Sequence, residues 1–153
     1  MPFLLESFQF HKVDLILRKR EGKKTEYKEI QVKYGRLYEC GPKWEQKHFD
    51  HTSWKFMRPE EFSNFDNLYI AYVLSPESGY KGDIFIFPVK DFNLLLQQAI
   101  PSKTAKGLQH RVYFSHCIHD DRWYMRKQAK FEELTEESVV DITQYRRAFD
   151  LLD

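Results

Sequence analysis

The sequence has few cysteines, few glycines and prolines, and no long run of apolar residues. Its two cysteines, Cys40 and Cys117, lie far apart, which argues against a disulfide framework and favours a reduced, cytoplasmic setting. The apolar runs are far shorter than the roughly 20 residues of a membrane-spanning helix, and the first residues lack the basic start of a signal peptide. We therefore expect no membrane attachment, and the absence of repeats and low-complexity segments indicates one globular domain over residues 1–153.

The charge is nearly balanced, with a formal net value of +1 for 153 residues. Any binding of nucleic acid must therefore come from a local patch and not from the field of the whole molecule. Aromatic residues make up 16% of the chain. Since each ring buries a large area, most of these rings are expected to be packed in a core.

The hydrophobic pattern predicts a mixed α/β (α+β) domain around a mostly β core. Strands are predicted over 8–18, 26–34, 67–74, 83–88, 111–117 and 122–126, with shorter ones at 36–39 and 53–57. Helices are predicted over 91–99 and 142–152, with short ones beginning at Pro59 and Thr135. Segments 18–24 and 102–109 are predicted as a charged turn and a polar loop.

Three polar residues on the first two predicted strands form the clearest candidate site: Asp14, Gln31 and Lys33. On the second strand, alternation puts Ile30 and Val32 on one face, which should meet the core, and Gln31 and Lys33 on the other. A carboxylate, an amide oxygen and a lysine at a sheet edge suit a hard cation and a phosphodiester. The same pattern is also typical of a solvated strand face, with Asp14 paired to a lysine.

The stretch Ile30-Gln31-Val32-Lys33, with Asp14 upstream, resembles the PD-(D/E)XK nuclease-like superfamily in its Gln-x-Lys variant. The apolar strand at 68–74, the strand at 83–88 and the helix after it resemble the core order of that family, so the likeness covers roughly residues 8–99. The resemblance implies a restriction-endonuclease-like mixed central sheet flanked by helices. It also implies a metal-dependent DNA endonuclease that hydrolyses phosphodiester bonds.

The resemblance also implies a role for each residue. Asp14, Gln31 and Lys33 would be the catalytic set, and Asp14, Gln31 and the backbone carbonyl of Val32 would hold Mg²⁺ or Mn²⁺. DNA would be the partner, and two copies of the chain on duplex DNA would suit a homodimer. Gln31 is neutral where the family usually has an acid, and the family's acidic N-terminal helix has little room before residue 8. A catalytically inactive module that binds nucleic acid or a protein is therefore the alternative.

Two groups of basic residues could follow a phosphate backbone. Both lie in segments predicted as a turn or a loop, where charged residues are ordinary solvated groups as well. The candidate nucleic-acid-binding residues are Arg18, Lys19, Arg20, Lys103 and Lys106.

Other chemistry has weaker signals. His48/His51 and His116/His119 have the spacing of paired zinc ligands, but neither pair has matching cysteines. Cys117 has only His116 beside it as a base. An aromatic-rich interaction protein without a nucleic-acid role is a third possibility.

Overall fold

Nine strands form one sheet in the computed structural model, which describes residues 13–58, 66–76 and 82–153. The strands are β1 Leu15–Glu21, β2 Lys24–Glu39, β3 Phe49–Met57, β4 Leu68–Pro76, β5 Asp83–Pro88, β6 Ile100–Thr104, β7 Gly107–Cys117, β8 Trp123–Arg126 and β9 Val139–Asp141. The α-helices of the described residues are α1 Lys43–Gln46 and α2 Val89–Gln98, and two 3₁₀ segments follow at Thr143–Tyr145 and Phe149–Leu152.

The sheet is mixed and its order is β5-β4-β2-β3-β7-β8-β9. β2 and β4 run parallel, and the remaining pairs are antiparallel. β1 pairs with β2, and β6 pairs with β7, each as a short hairpin partner. The β1–β2 turn uses Gly22 at φ +60°, a conformation that glycine adopts without a steric cost.

One face of the sheet carries the main core. Leu37 of β2, Tyr72 of β4, Phe85 of β5 and Phe114 of β7 are buried there, and α2 covers them with Phe92 and its neighbours. Gly35 fits beside this core because a Cβ at its position would come within 2.8 Å of the Tyr72 ring. The described residues cover the opposite face only in parts.

Two short segments cover those parts of the opposite face. At one end, Ala148 and Leu151 of the C-terminal segment pack with Ile30. At the other end, α1 and the loop before β9 cover a cluster that contains Phe49 and Phe131. The middle of the opposite face lies between these two covers.

The predicted restriction-endonuclease-like architecture is wrong. Strands account for 55% of the described residues and helices for 16%, and the sheet is a curled half-barrel and not a central sheet flanked by helices. The prediction failed because it took the C-terminal segment for a helix and 102–109 for a loop. Arg146 instead bridges Phe85 of β5, and residues 100–111 form the β6–β7 hairpin.

Several element boundaries also differ from the predictions. The charged turn predicted at 18–24 is mostly strand, because β1 continues to Glu21 and pairs with β2 as far as Lys24. The segment from Thr135 forms turns before β9. The helix predicted from Pro59 and the strand residues before 13 lie outside the described residues. No helix in the described ranges is long and apolar enough to cross a membrane.

Candidate functional site

β2 has a break in its pairing along one edge. β4 occupies one side of β2 from Glu29 to Leu37. On the other side, β1 pairs only as far as Ile30 and β3 begins only at Leu37. Residues 31–36 therefore have no strand partner on that side within the described ranges, and we call this stretch the edge gap.

Within the described ranges, two side chains bond to the backbone of β2 in the edge gap. A carboxylate oxygen of Asp14 accepts the backbone N–H of Val32 at 2.7 Å, and the Asp14 N–H donates to the carbonyl of Ile30 at 2.9 Å. Farther along, the Lys55 ammonium donates to the carbonyl of Tyr34 at 3.3 Å. Because the N–H and C=O of a strand residue point to the same side, the carbonyl of Val32 also points into the gap beside Asp14.

The structure places Asp14 next to the 31–33 stretch, but Gln31 is not where strand alternation predicted it. Gln31 is only 6% exposed, because it lies beside Ile70 of β4 on the side of the main core. Lys33 follows on the same side and is half-buried, whereas Asp14 is exposed. Both faces of β2 are partly covered, so the predicted contrast between a core face and a solvent face does not hold at Gln31.

The five candidate DNA-binding residues lie in two exposed places. Arg18, Lys19 and Arg20 lie on β1, with Lys19 paired to Glu21 at 3.2 Å. Lys103 lies on β6, and Lys106 lies in the tight turn that joins β6 to β7. The two groups belong to separate hairpins, so only the β1 group lies on the strand that borders the edge gap.

A carboxylate–histidine cluster, which the sequence interpretation missed, lies at the end of β7. His116 contacts Asp50 through Nδ1 at 2.9 Å and Asp121 through Nε2 at 2.6 Å. Asp121 reaches the ring from a left-handed backbone conformation with φ +57°. The sequence did offer a signal for this cluster, because an acidic residue lies within a few residues of each His-x-x-His pair. The contact itself, however, joins His116 to Asp50, which is 66 residues away in the sequence.

We expect the Asp121→Asn variant to lose stability above acidic pH and to match the wild type below it. The hydrogen bond from His116 and the charge of its ring lower the pKa of Asp121 from its ordinary 3.8. A carboxylate whose pKa is lower in the folded than in the unfolded state stabilises the fold fully at pH values above its unfolded-state pKa. This contribution is lost as the pH falls through its folded-state pKa. Asparagine tolerates the positive φ, so the substitution isolates the charge.

Urea denaturation at pH 7 and at pH 3 checks this prediction. The midpoint of the variant should lie below that of the wild type at pH 7, and the difference between the two midpoints should be smaller at pH 3. Equal midpoints at both values would show that the contact between Asp121 and His116 contributes nothing to the fold.

Two further histidines and both cysteines have structural contacts. His48 and His119 bond to the backbone carbonyls of Glu132 and Lys47. Burial raises the pKa of the Cys40 and Cys117 thiols, which makes both poor nucleophiles. Among the described residues, no group of three or more His, Cys, Asp or Glu side chains could hold a metal ion. Any metal at the edge gap would therefore depend on a single carboxylate and on carbonyl oxygens.

Comparisons with known proteins do not assign the chain to a family or a known fold. No family profile, no curated protein and no solved structure matches it. The functional argument therefore depends on the geometry of this chain alone.

Proposed function

We propose that this chain is a metal-dependent DNA endonuclease that hydrolyses phosphodiester bonds at the edge gap. The observation that supports the proposal is the position of the Asp14 carboxylate, 2.7 Å from the backbone nitrogen of Val32. That contact brings the only acid of the predicted set against the Gln31-Val32-Lys33 stretch, where β2 has β4 on one side and no strand neighbour on the other among the described residues. The resemblance of these residues to the PD-(D/E)XK pattern agrees with this site, although the fold does not.

The oxygen donors of the edge gap are of the kind that Mg²⁺ prefers. They are the second carboxylate oxygen of Asp14 and the carbonyl oxygen of Val32, and the Gln31 amide lies on the buried side. Mg²⁺ keeps several waters and needs only one or two protein carboxylates when a phosphate supplies further oxygens. These residues would hold an ion weakly, and such an ion supplies neutralising charge for the phosphate and acidifies a water molecule.

The protein residues would position the phosphodiester and stabilise its added charge. The Val32 N–H donates to Asp14, which favours one orientation of the carboxylate. The ammonium of Lys33 would stabilise the negative charge that grows on the phosphate oxygens as water attacks phosphorus. The phosphorus–oxygen bond opposite the water then breaks, and the leaving oxygen takes a proton from solvent.

Cleavage of supercoiled and branched DNA with Mg²⁺ or Mn²⁺ tests the proposal. We expect Asp14→Asn and Lys33→Ala to lower the cleavage rate by about 100- to 1,000-fold, the usual loss when one charge-stabilising group is removed. Asparagine at position 14 keeps an oxygen that can accept the Val32 N–H, so the fold should persist. Lys24→Ala, an exposed change on the same strand, should cleave within twofold of the wild type.

Two results would contradict the proposal. The first is a wild-type protein that cleaves none of these substrates with either metal. The second is a Lys33→Ala variant that is as active as the wild type while its far-ultraviolet circular dichroism is unchanged.

A non-catalytic DNA-binding module is the second candidate, and the burial and neutrality of Gln31 favour it. With Asp14 as the single carboxylate, the site has one fewer negative charge than a two-acid site and would bind a divalent cation less tightly. Titration calorimetry separates the two functions. Mg²⁺ binding at millimolar concentration that is lost in Asp14→Asn would support the enzyme. DNA binding by a protein that shows no heat of Mg²⁺ binding would support the non-catalytic module.

A further inference from the structure

The middle of the sheet's opposite face carries exposed aromatic rings, one within the edge gap and two on the neighbouring strand β3. Tyr34 of β2 is 67% exposed, Trp54 of β3 is 45% exposed and Phe56 of β3 is 41% exposed. The three share one face because they occupy alternate positions, and the buried Leu37 and Met57 point the other way. Large exposed rings in one patch indicate an interaction surface.

Arginines alternate with these rings on the same face. Arg36 follows Tyr34 by two residues, and Arg111 of β7 pairs with Phe56, with its guanidinium 5.5 Å from the ring centre. Trp54 and Phe56 meet edge to face with ring centres 5.7 Å apart. We call Tyr34, Arg36, Trp54, Phe56 and Arg111 the aromatic–arginine face.

Among the residues that the structure describes, the charged side chains of this face are all basic. By strand alternation and register, the residues that share it on β2 from 32 to 38, on β3 from 52 to 56 and on β7 from 109 to 115 include no aspartate or glutamate. The described segments that cover the opposite face lie on either side of the aromatic–arginine face. On one side Ala148 packs with Ile30, and on the other the Arg126 guanidinium lies 4.8 Å from the centre of the Tyr113 ring. The face therefore suits an anionic partner that also presents flat apolar surfaces.

We infer that the aromatic–arginine face binds single-stranded DNA, with bases stacked on Tyr34 and Trp54 and phosphates held by Arg36 and Arg111. Unpaired bases present their faces to aromatic side chains, and arginine binds both phosphate and stacked rings. A base pair inside a duplex cannot stack in this way, which selects single strands or unpaired segments. The choice of DNA depends on the proposed function.

The position of Tyr34 connects this face to the edge gap. Tyr34 lies two residues beyond Val32, about 7 Å along β2. A cavity of about 720 Å³ adjoins Tyr34 on the β4 side of β2 and is lined by Tyr34, Gly35, Arg36, Ser75 and Pro76. A strand stacked on Tyr34 would therefore bring its phosphates close to Asp14, so the substrate would be DNA that is unpaired at the cleavage point.

Fluorescence anisotropy with a labelled 20-nucleotide single strand tests this inference. The measurement is made in EDTA, so failure to cleave DNA and failure to bind it are separate results. We expect Trp54→Ala and Tyr34→Ala each to weaken binding by about 10- to 100-fold, the loss typical of one stacking ring. Tyr27→Ala, an exposed tyrosine of β2 outside this face, is the matched control and should bind within twofold of the wild type.

A second variant guards against misfolding. Trp54→Tyr keeps a ring at the site and should bind within about threefold of the wild type, while thermal unfolding reports whether each variant is folded. Wild-type affinity in Trp54→Ala, or tighter binding to duplex than to single strand, would overturn the inference. So would a dimer in sedimentation that Trp54→Ala dissociates, because a second copy would then be the occupant.

Discussion

Replacing Arg126 by alanine is expected to destabilise the protein by about 3–5 kcal/mol, because it breaks a buried ion pair from one side only. Arg126 is 1% exposed, and its guanidinium bonds to Glu45 at 3.2 Å and to the hydroxyl of Ser115 at 3.0 Å. It also lies over the ring of Phe49, 5.0 Å from its centre. Without it, the largely buried Glu45 carboxylate would lack its cation. Urea denaturation at pH 7 measures the loss.

A double variant separates the charge from the packing. Arg126→Met with Glu45→Leu removes both charges and keeps most of the volume. Replacing a buried ion pair by apolar residues is often neutral or stabilising. One guanidinium nitrogen of Arg126 has no hydrogen-bond acceptor among the described residues, so the pair is incompletely compensated. We expect the double variant to unfold within about 1 kcal/mol of the wild type, and a loss as large as that of Arg126→Ala would refute the charge-based explanation.

Asp83→Ala is the second large effect, with an expected loss of about 3 kcal/mol and release of the C-terminal segment. The Asp83 side chain is 2% exposed. Its oxygens accept from Arg146 at 2.5 Å, from Arg147 at 3.1 Å and from the N–H of Ile84 at 2.9 Å. Hydrogen bonds to a charged group contribute about 1.5–3 kcal/mol each, and removal of the carboxylate leaves two guanidinium groups without their acceptor.

Denaturation combined with limited trypsin digestion checks this prediction. The segment after Ile142 should become a trypsin site at Arg146 and Arg147, because Asp83 binds both arginine side chains next to the backbone contacts of the segment with β5. Asp66→Ala is the matched control. Asp66 pairs with Lys90 at 2.6 Å but is 83% exposed, so its loss should leave the denaturation midpoint unchanged within error. Equal effects in the two variants would show that burial of Asp83 does not strengthen its ion pairs.

Much of the sheet could be predicted because its signals are local. The β1–β2 hairpin, the β5 strand and the helix after it follow from alternation, from a glycine turn and from helical spacing. The contact of Asp14 with the 31–33 stretch also follows from the hairpin. The C-terminal segment could not be predicted, because Arg146 and Arg147 bind Asp83, which lies 63 and 64 residues away in the sequence. These contacts form in place of a continued helix.

Burial at the candidate site also depends on distant residues. Gln31 is buried by β4, and nothing within the hairpin indicates which face β4 and the core will cover. The β6–β7 hairpin is an exposed edge, so its polar residues resemble a loop. The sequence does not distinguish Trp44 from Trp54, yet Trp44 packs against Phe131 with ring centres 5.4 Å apart, whereas Trp54 is exposed on the opposite face.

β2 is shared by three neighbours: β1 from Lys24 to Ile30, β4 from Glu29 to Leu37, and β3 from Leu37 to Glu39. A residue inserted within 31–36 would preserve the pairing with β1 and turn every later side chain to the opposite face. Leu37 would leave the core, and the ladder with β4 would lose its register. Insertions and deletions should therefore be excluded from β2 but tolerated at the Gly22-Lys23 turn. In an alignment of homologous sequences, the stretch around the edge gap should be free of insertions and deletions.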